Sequence, residues 1–174
     1  MNKALFLDRD GILNVDKGYV YKWEDIEWFE EIFEIIKLAN QKKYKVIVLT
    51  NQSGIFQKKY THEDVKVLHE KMASYLRSKN AIVDAWYYCA EMDSNRRKPM
   101  PGMLLEAQSD FNIDLEKSFM VGDKVSDVFL LENISHKLKT ILVQGKYDLT
   151  SAGQEILKVN NHADLLKIVL ELMK

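Results

Sequence analysis

Four short stretches of this 174-residue chain gather side chains that suit phosphate and hard cations. They are Asp8-Arg9-Asp10-Gly11, Thr50-Asn51-Gln52-Ser53, Arg96-Arg97-Lys98, and Gly122-Asp123 with Asp127 just beyond it. Brought to one place, the carboxylates would repel one another, and a hard divalent cation relieves that repulsion. Oxygen ligands without thiolate or imidazole fit Mg²⁺, which keeps waters and binds phosphate oxygen rather than sitting in an all-protein cage. Beside a phosphoryl group, Lys98 would offset charge. The Thr50 hydroxyl and the amides of Asn51 and Arg9 could donate to its oxygens. A lone Asp-x-Asp is weak evidence; four such stretches in order carry the weight.

The elements around these stretches predict how they meet. Ala4–Leu7, Lys45–Leu49, Ala85–Cys89, Ser118–Val121 and Thr140–Val143 are short apolar runs that read as buried parallel strands, with a sixth over Glu155–Val159. Helical spacing covers Glu31–Lys42, a segment opened by the capping-box sequence Thr61-His62-Glu63-Asp64, a segment with Pro101 in its first turn, one after Asp123, and a last one capped by Asn161. Alternation of strand and helix implies an α/β, Rossmann-like parallel sheet with helices on both faces. Ligands of such sheets bind beyond the carboxyl ends of the strands, where the four stretches stand.

Composition narrows the rest. Hydrophobic residues make up 47% of the chain and the formal net charge is −1, so a core is possible and no global attraction to nucleic acid or acidic membranes is expected. One cysteine, Cys89, excludes an internal disulfide and a thiolate zinc cage. It reads as a small core residue at a strand end. The N-terminal apolar run is too short for a signal peptide or a membrane span, so a cytoplasmic location is expected. His62, His69, His136 and His162 have no partner cluster in sequence and are expected at the surface; the tryptophans are expected to pack. The chain reads as one domain over 1–174 and as a monomer.

Asp8-x-Asp10, Thr50, Lys98 and Gly122-Asp123-x-x-x-Asp127 resemble the four motifs of the haloacid dehalogenase superfamily. The stretches DRDGILNVDKGYV, VLTNQSGI, RRKPMPGMLLEA and MVGDKVSDV further resemble the D-glycero-D-manno-heptose 1,7-bisphosphate 7-phosphatase family. That resemblance implies a phosphatase of nucleotide-heptose biosynthesis acting on a small phosphorylated sugar. It implies Asp8 as nucleophile, Asp10 as acid and base, and Thr50 and Lys98 as supports of the transferring group. Mg²⁺ would be held by Asp8, the Asp10 backbone carbonyl and Asp123, with Asp127 behind them orienting Lys98 or a metal water. Asp16, Lys17, Gly18, Tyr19, Asn51, Gln52, Ser53, Arg97 and Lys124 correspond to substrate-binding positions.

One departure stands out. Relatives of this kind commonly carry a zinc loop before the Arg-Lys pair. Here Cys89 matches its first ligand, Glu91 stands where a histidine is expected and the second pair is missing, so zinc is not expected. The short segments between the motifs leave no room for a large cap domain. Three competing readings remain open: a histidinol-phosphate or other small-molecule phosphatase, a phospho-accepting receiver, and an inactive binding protein. A receiver would need an Asp after the third strand, where Cys89-Ala90 stand.

Overall fold

The computed structural model describes residues 1–132, 138–153 and 156–174. Six strands form one parallel sheet: β1 (Lys3–Leu7), β2 (Tyr44–Asn51), β3 (Ala85–Cys89), β4 (Phe119–Gly122), β5 (Lys139–Val143) and β6 (Leu157–Val159). Their spatial order is β3-β2-β1-β4-β5-β6. The chain builds outward from β1 on one side, then returns to lay β4 against its other edge. The strand order therefore reverses between β1 and β4, and a crevice opens beyond their carboxyl ends. Leu7 pairs with Val48 on one side and Val121 on the other, so Asp8 emerges in line with the ends of β2 and β4.

Alternation along the strands distributes the core. Leu5, Leu7, Val46, Val48, Phe119, Val121, Ile141 and Val143 point to one face, which is covered by α1 (Glu31–Gln41), α2 (His62–Ser78) and α5 (His162–Leu172). Ala4, Phe6, Ile47, Leu49 and Met120 point to the other, beneath α3 (Gly102–Phe111). Val128 of α4 (Val125–Glu132) packs with Leu142 on that same side of β5. Runs buried on both faces are what let a parallel sheet read as continuous apolar sequence. No cap domain interrupts the described residues. A short 3₁₀ turn (Trp23–Asp25) and α1 fill the interval from β1 to β2, and α2 fills that from β2 to β3.

The ends of β1, β2, β4, β5 and α1 differ from the expected bounds by one or two residues, and two further boundaries moved. Pro101 precedes α3 as its N-cap rather than lying in its first turn. Of the sixth strand the described part is Leu157–Val159, and Glu155 lies outside the described residues. Thr61 does form a full capping box with Asp64, and Asn161 caps α5 by accepting from the Asp164 amide. Cys89 is fully buried at the end of β3, and Trp23, Trp28 and Trp86 pack against the core.

The histidines need a larger correction. His62 is exposed, and His136 lies outside the described residues, but His69 and His162 are buried. His162 stacks on Phe29 at 3.5 Å between ring centroids and donates from Nε2 to the Ile12 carbonyl. His69, on α2, accepts at Nε2 from Nη1 of Arg9, 3.2 Å away. An imidazole can be buried once its polar atoms find partners. Both partners here are distant in sequence, so no local pattern marks them.

Because Arg9 can only donate, His69 must be neutral in the native state. Burial, reinforced by the Arg9 charge, holds its pKa well below the ordinary 6.5. The unfolded chain takes up a proton there as pH falls through that value and the native chain does not, so His69 makes acidification destabilising. One such proton amounts to about 1.4 kcal/mol per pH unit below the unfolded pKa. In urea titrations at pH 7.5 and 5.5, the wild type should therefore lose more stability on acidification than His69→Gln. Identical losses would show that His69 is protonated in the folded chain.

Candidate active site

Asp8 stands at the tip of β1 with its carboxylate buried. Its Oδ1 accepts from the Arg9 amide at 2.8 Å and faces Lys98 Nζ at 3.0 Å. Lys98 Nζ also donates to Asp127 Oδ1 at 2.7 Å. Burial by itself would strip the proton from Lys98, but the charges of Asp127 and Asp8 reverse that effect and raise its pKa. The lysine is thus a fixed ammonium between two carboxylates. Its backbone is locked by Asn51, whose side-chain amide accepts from the Lys98 N–H and donates to the Lys98 carbonyl. The side chain of Asn51 serves the lysine's placement, although the residue also borders the pocket.

Asp123 follows β4, the strand beside β1. Ligand oxygens of Asp8, Asp123 and Asp127 all lie within 4.8 Å of one another. Both oxygens of Asp127 are engaged, Oδ1 by Lys98 and Oδ2 by the Lys124 amide at 3.2 Å. Asp123 Oδ1 instead is buried with no hydrogen-bond partner among the described residues, the Lys124 ammonium standing off at 3.7 Å. Burial, then the nearby Asp8 charge, pushes the Asp123 carboxyl up to about 8. An orphaned buried carboxylate oxygen next to a second carboxylate, with only oxygen donors around, fits a hard divalent ion such as Mg²⁺. Glycine makes the approach possible. At Gly11 (φ +92°) a Cβ would sit 2.1 Å from Asp123 Oδ2, and at Gly122 one would sit 2.1 Å from Asp127 Oδ2.

Asp10 sits at the mouth of the same crevice. Its Oδ1 accepts from Arg9 Nε, Arg9 Nη2 and Asn14 Nδ2, and its Oδ2 from Arg9 Nη2 and Gln52 Nε2. Gln52 also donates to Thr50 Oγ1 at 2.9 Å and accepts from Tyr60 Oη at 2.7 Å. Because Thr50 Oγ1 acts as the acceptor in that bond, its hydroxyl hydrogen stays available to donate. Sequence reasoning singled out Arg9 for its amide alone and missed its guanidinium, which is fully buried and also donates to the Val20 carbonyl. The signal available was a charged residue inside Asp-Arg-Asp, which reads equally well as a solvated loop.

An open cavity of about 370 Å³ lies over these groups. Asp10, Asp16, Gly18, Tyr19, Asn51, Gln52, Ser53, Arg97, Lys98 and Lys124 all border it, as expected from the sequence. Arg97 presents a buried Nη1 without a hydrogen-bond partner. Lys17 does not join them. Its ammonium turns to Glu27 at 3.0 Å, because Asp16 and Tyr19 already fix the loop and position 17 points away. Tyr60, Ser126 and Tyr147 border the cavity without having been anticipated. Tyr147 comes from the loop after β5, far from any of the four motifs, and only the fold brings it near Asp16.

Comparison with known proteins agrees with this geometry. The family model described as polynucleotide kinase 3 phosphatase matches residues 4–156. A D-glycero-beta-D-manno-heptose-1,7-bisphosphate 7-phosphatase from Helicobacter pylori strain 26695 is 38% identical over 170 residues, covering 95% of this chain and 98% of its own. A D-glycero-alpha-D-manno-heptose-1,7-bisphosphate 7-phosphatase from Campylobacter jejuni is 40% identical over 127 residues, 72% of this chain and 74% of its own. Among solved structures, the D,D-heptose 1,7-bisphosphate phosphatase from B. bronchiseptica, complexed with magnesium and phosphate, superposes with a TM-score of 0.85 at 25% identity, covering 97% of this chain and 98% of that one. With the four motifs converging at one switch point of a haloacid dehalogenase-like sheet, the chain belongs to the D-glycero-D-manno-heptose-1,7-bisphosphate 7-phosphatase family.

Proposed function

We propose that this chain, as a single domain over residues 1–174, hydrolyses the 7-phosphate of D-glycero-D-manno-heptose 1,7-bisphosphate, with Mg²⁺ as its metal. The observation that carries the reading is a pairing of two features. A buried Asp8 faces a fixed ammonium and an Asp123 oxygen without a hydrogen bond, and the cavity above it is bordered by a separate cation, Arg97, whose Nη1 has no hydrogen-bond partner among the described residues.

Asp8 attacks phosphorus, the ester P–O bond breaks, and the sugar oxygen leaves with a proton from Asp10. Water, losing a proton to Asp10, then attacks the aspartyl phosphate and releases inorganic phosphate and Asp8. Arg9, Asn14 and Gln52 hold the Asp10 side chain in place through hydrogen bonds to its oxygens. Lys98 and the Thr50 hydroxyl support the transferring oxygens, while Asp127 keeps Lys98 in place. Held by Asp8, the Asp10 carbonyl and Asp123, Mg²⁺ would relieve the crowding of carboxylates and polarise the phosphoryl group.

Arg97 supports a doubly phosphorylated substrate over histidinol phosphate. A guanidinium can take the retained phosphate with paired hydrogen bonds. The open, polar cavity suits a small sugar, and the chain's near-neutral charge gives nucleic acid no general attraction. We further propose a cytoplasmic monomer; among the described residues no helix is long and apolar enough to cross a membrane.

Asp8→Asn should abolish phosphate release while circular dichroism stays native, since the change removes the nucleophile and little volume. Asp10→Asn should retain the nucleophile and slow turnover by roughly 10²–10⁴. Near-normal rates in either variant would remove that residue from its role. On a panel with added and then chelated Mg²⁺, both heptose bisphosphate anomers should be preferred to histidinol phosphate. Arg97→Ala should raise KM for the bisphosphate at least about tenfold, the loss of a charge-assisted pair, and leave KM for a simple monophosphate ester far less changed. Equal losses on both substrates would contradict a phosphate-binding Arg97.

A further inference from the structure

We infer that Lys146 and Tyr147, in the loop after β5, are positioning residues that clasp Asp16 and Lys124 for substrate, with the Tyr147 ring forming one wall of the sugar pocket. This rests on the phosphatase reading and adds to it two residues that lie in none of the four motifs.

The geometry is a clasp on one carboxylate. Asp16 Oδ1 accepts from the Gly18 amide at 2.9 Å and is paired with Lys146 Nζ at 3.0 Å. Its Oδ2 accepts from Tyr147 Oη at 2.7 Å and faces Lys124 Nζ at 3.5 Å. Lys146 also donates to the Asp16 backbone carbonyl at 3.0 Å, so it grips main chain and side chain together. A carboxylate with both oxygens occupied has little left for a sugar hydroxyl. Asp16 is therefore an anchor, and what it anchors is the Gly18-Tyr19 edge of the cavity. Burial opposes its ionisation, yet the hydrogen bonds from Tyr147, Gly18 and Lys146, with the Lys124 charge, hold its carboxyl down to about 2. The anchor stays charged at any working pH.

Lys124 depends on the same loop. Its ammonium lies 4.7 Å from the Tyr147 ring centroid, 3.5 Å from Asp16, 3.7 Å from Asp123 and 3.9 Å from Asp8. Attraction to Asp16 and to the ring face opposes attraction to the two carboxylates of the reacting centre. Without the clasp, Asp16 is no longer fixed and Lys124 collapses toward Asp8 and Asp123. The ammonium that should meet a substrate oxygen is then spent on the protein. The cost should therefore fall on binding more than on chemistry.

The test uses the full chain in saturating Mg²⁺ with the heptose bisphosphate. Tyr147→Phe keeps the ring and removes the hydroxyl, and Lys146→Met keeps the length and removes the charge. The double variant combines them. KM is expected to rise about tenfold in the double variant, the scale of one lost charge-assisted hydrogen bond. Its kcat should stay within about threefold, and Lys146→Arg should restore most of the wild-type KM. An unchanged KM in the double variant would overturn the inference, as would a fall in kcat and thermal midpoint at constant KM. A wild-type chain that leaves the bisphosphate intact defeats the functional reading and this one with it. An active wild type with an indifferent double variant defeats only this one.

Discussion

Everything at this site follows from concentrating buried negative charge where strand order reverses. Asp8, Asp123 and Asp127 share one small volume beyond β1 and β4, where the buried ammonium of Lys98 and, farther off, the partly exposed one of Lys124 face them. That balance is incomplete. The Asp123 oxygen that no described residue hydrogen-bonds, and its raised pKa, record the remaining charge imbalance. A fold that tolerates such a deficit needs an outside cation and favours a ligand whose oxygens can share it.

The surroundings keep this arrangement from relaxing. Asn51 fixes the backbone that carries Lys98, and Gln52 ties Asp10 to Thr50. Arg9 pins Asp10 from inside the core, and α2 contributes His69 to hold Arg9. Residues from the loop after β1, from the end of β2 and the loop after it, from the segment before α3, and from α2 and α4 thereby form one connected polar network. The glycines at 11 and 122 let carboxylates approach where any side chain would collide. Preorganised charge of this kind is what stabilises a phosphoryl group in transit.

The cavity wall is built from a different layer. No cap domain closes over the described residues, so the wall of the cavity is made by short segments after β1, β2, β4 and β5 and by the segment before α3. Arg97 carries the free donor, while Asp16, Lys146 and Tyr147 hold the opposing segments in place. Loops can change without disturbing the sheet that carries the four motifs.

The four motifs and the strands that carry them were legible in sequence because both signals are local. A buried parallel strand is an apolar run, and the chemistry stands at its end. Asp8, Asp10, Thr50, Lys98, Asp123 and Asp127 converge as that pattern predicts. What sequence left open is long-range pairing. Lys17 turns to Glu27 rather than to the cavity, His69 is buried where Arg9 donates to it and His162 where the Ile12 carbonyl accepts from it, and Tyr147 reaches Asp16 across 131 positions. A side chain's type states which partners it can use; only the packed sheet and its loops decide which of them are close enough to bond.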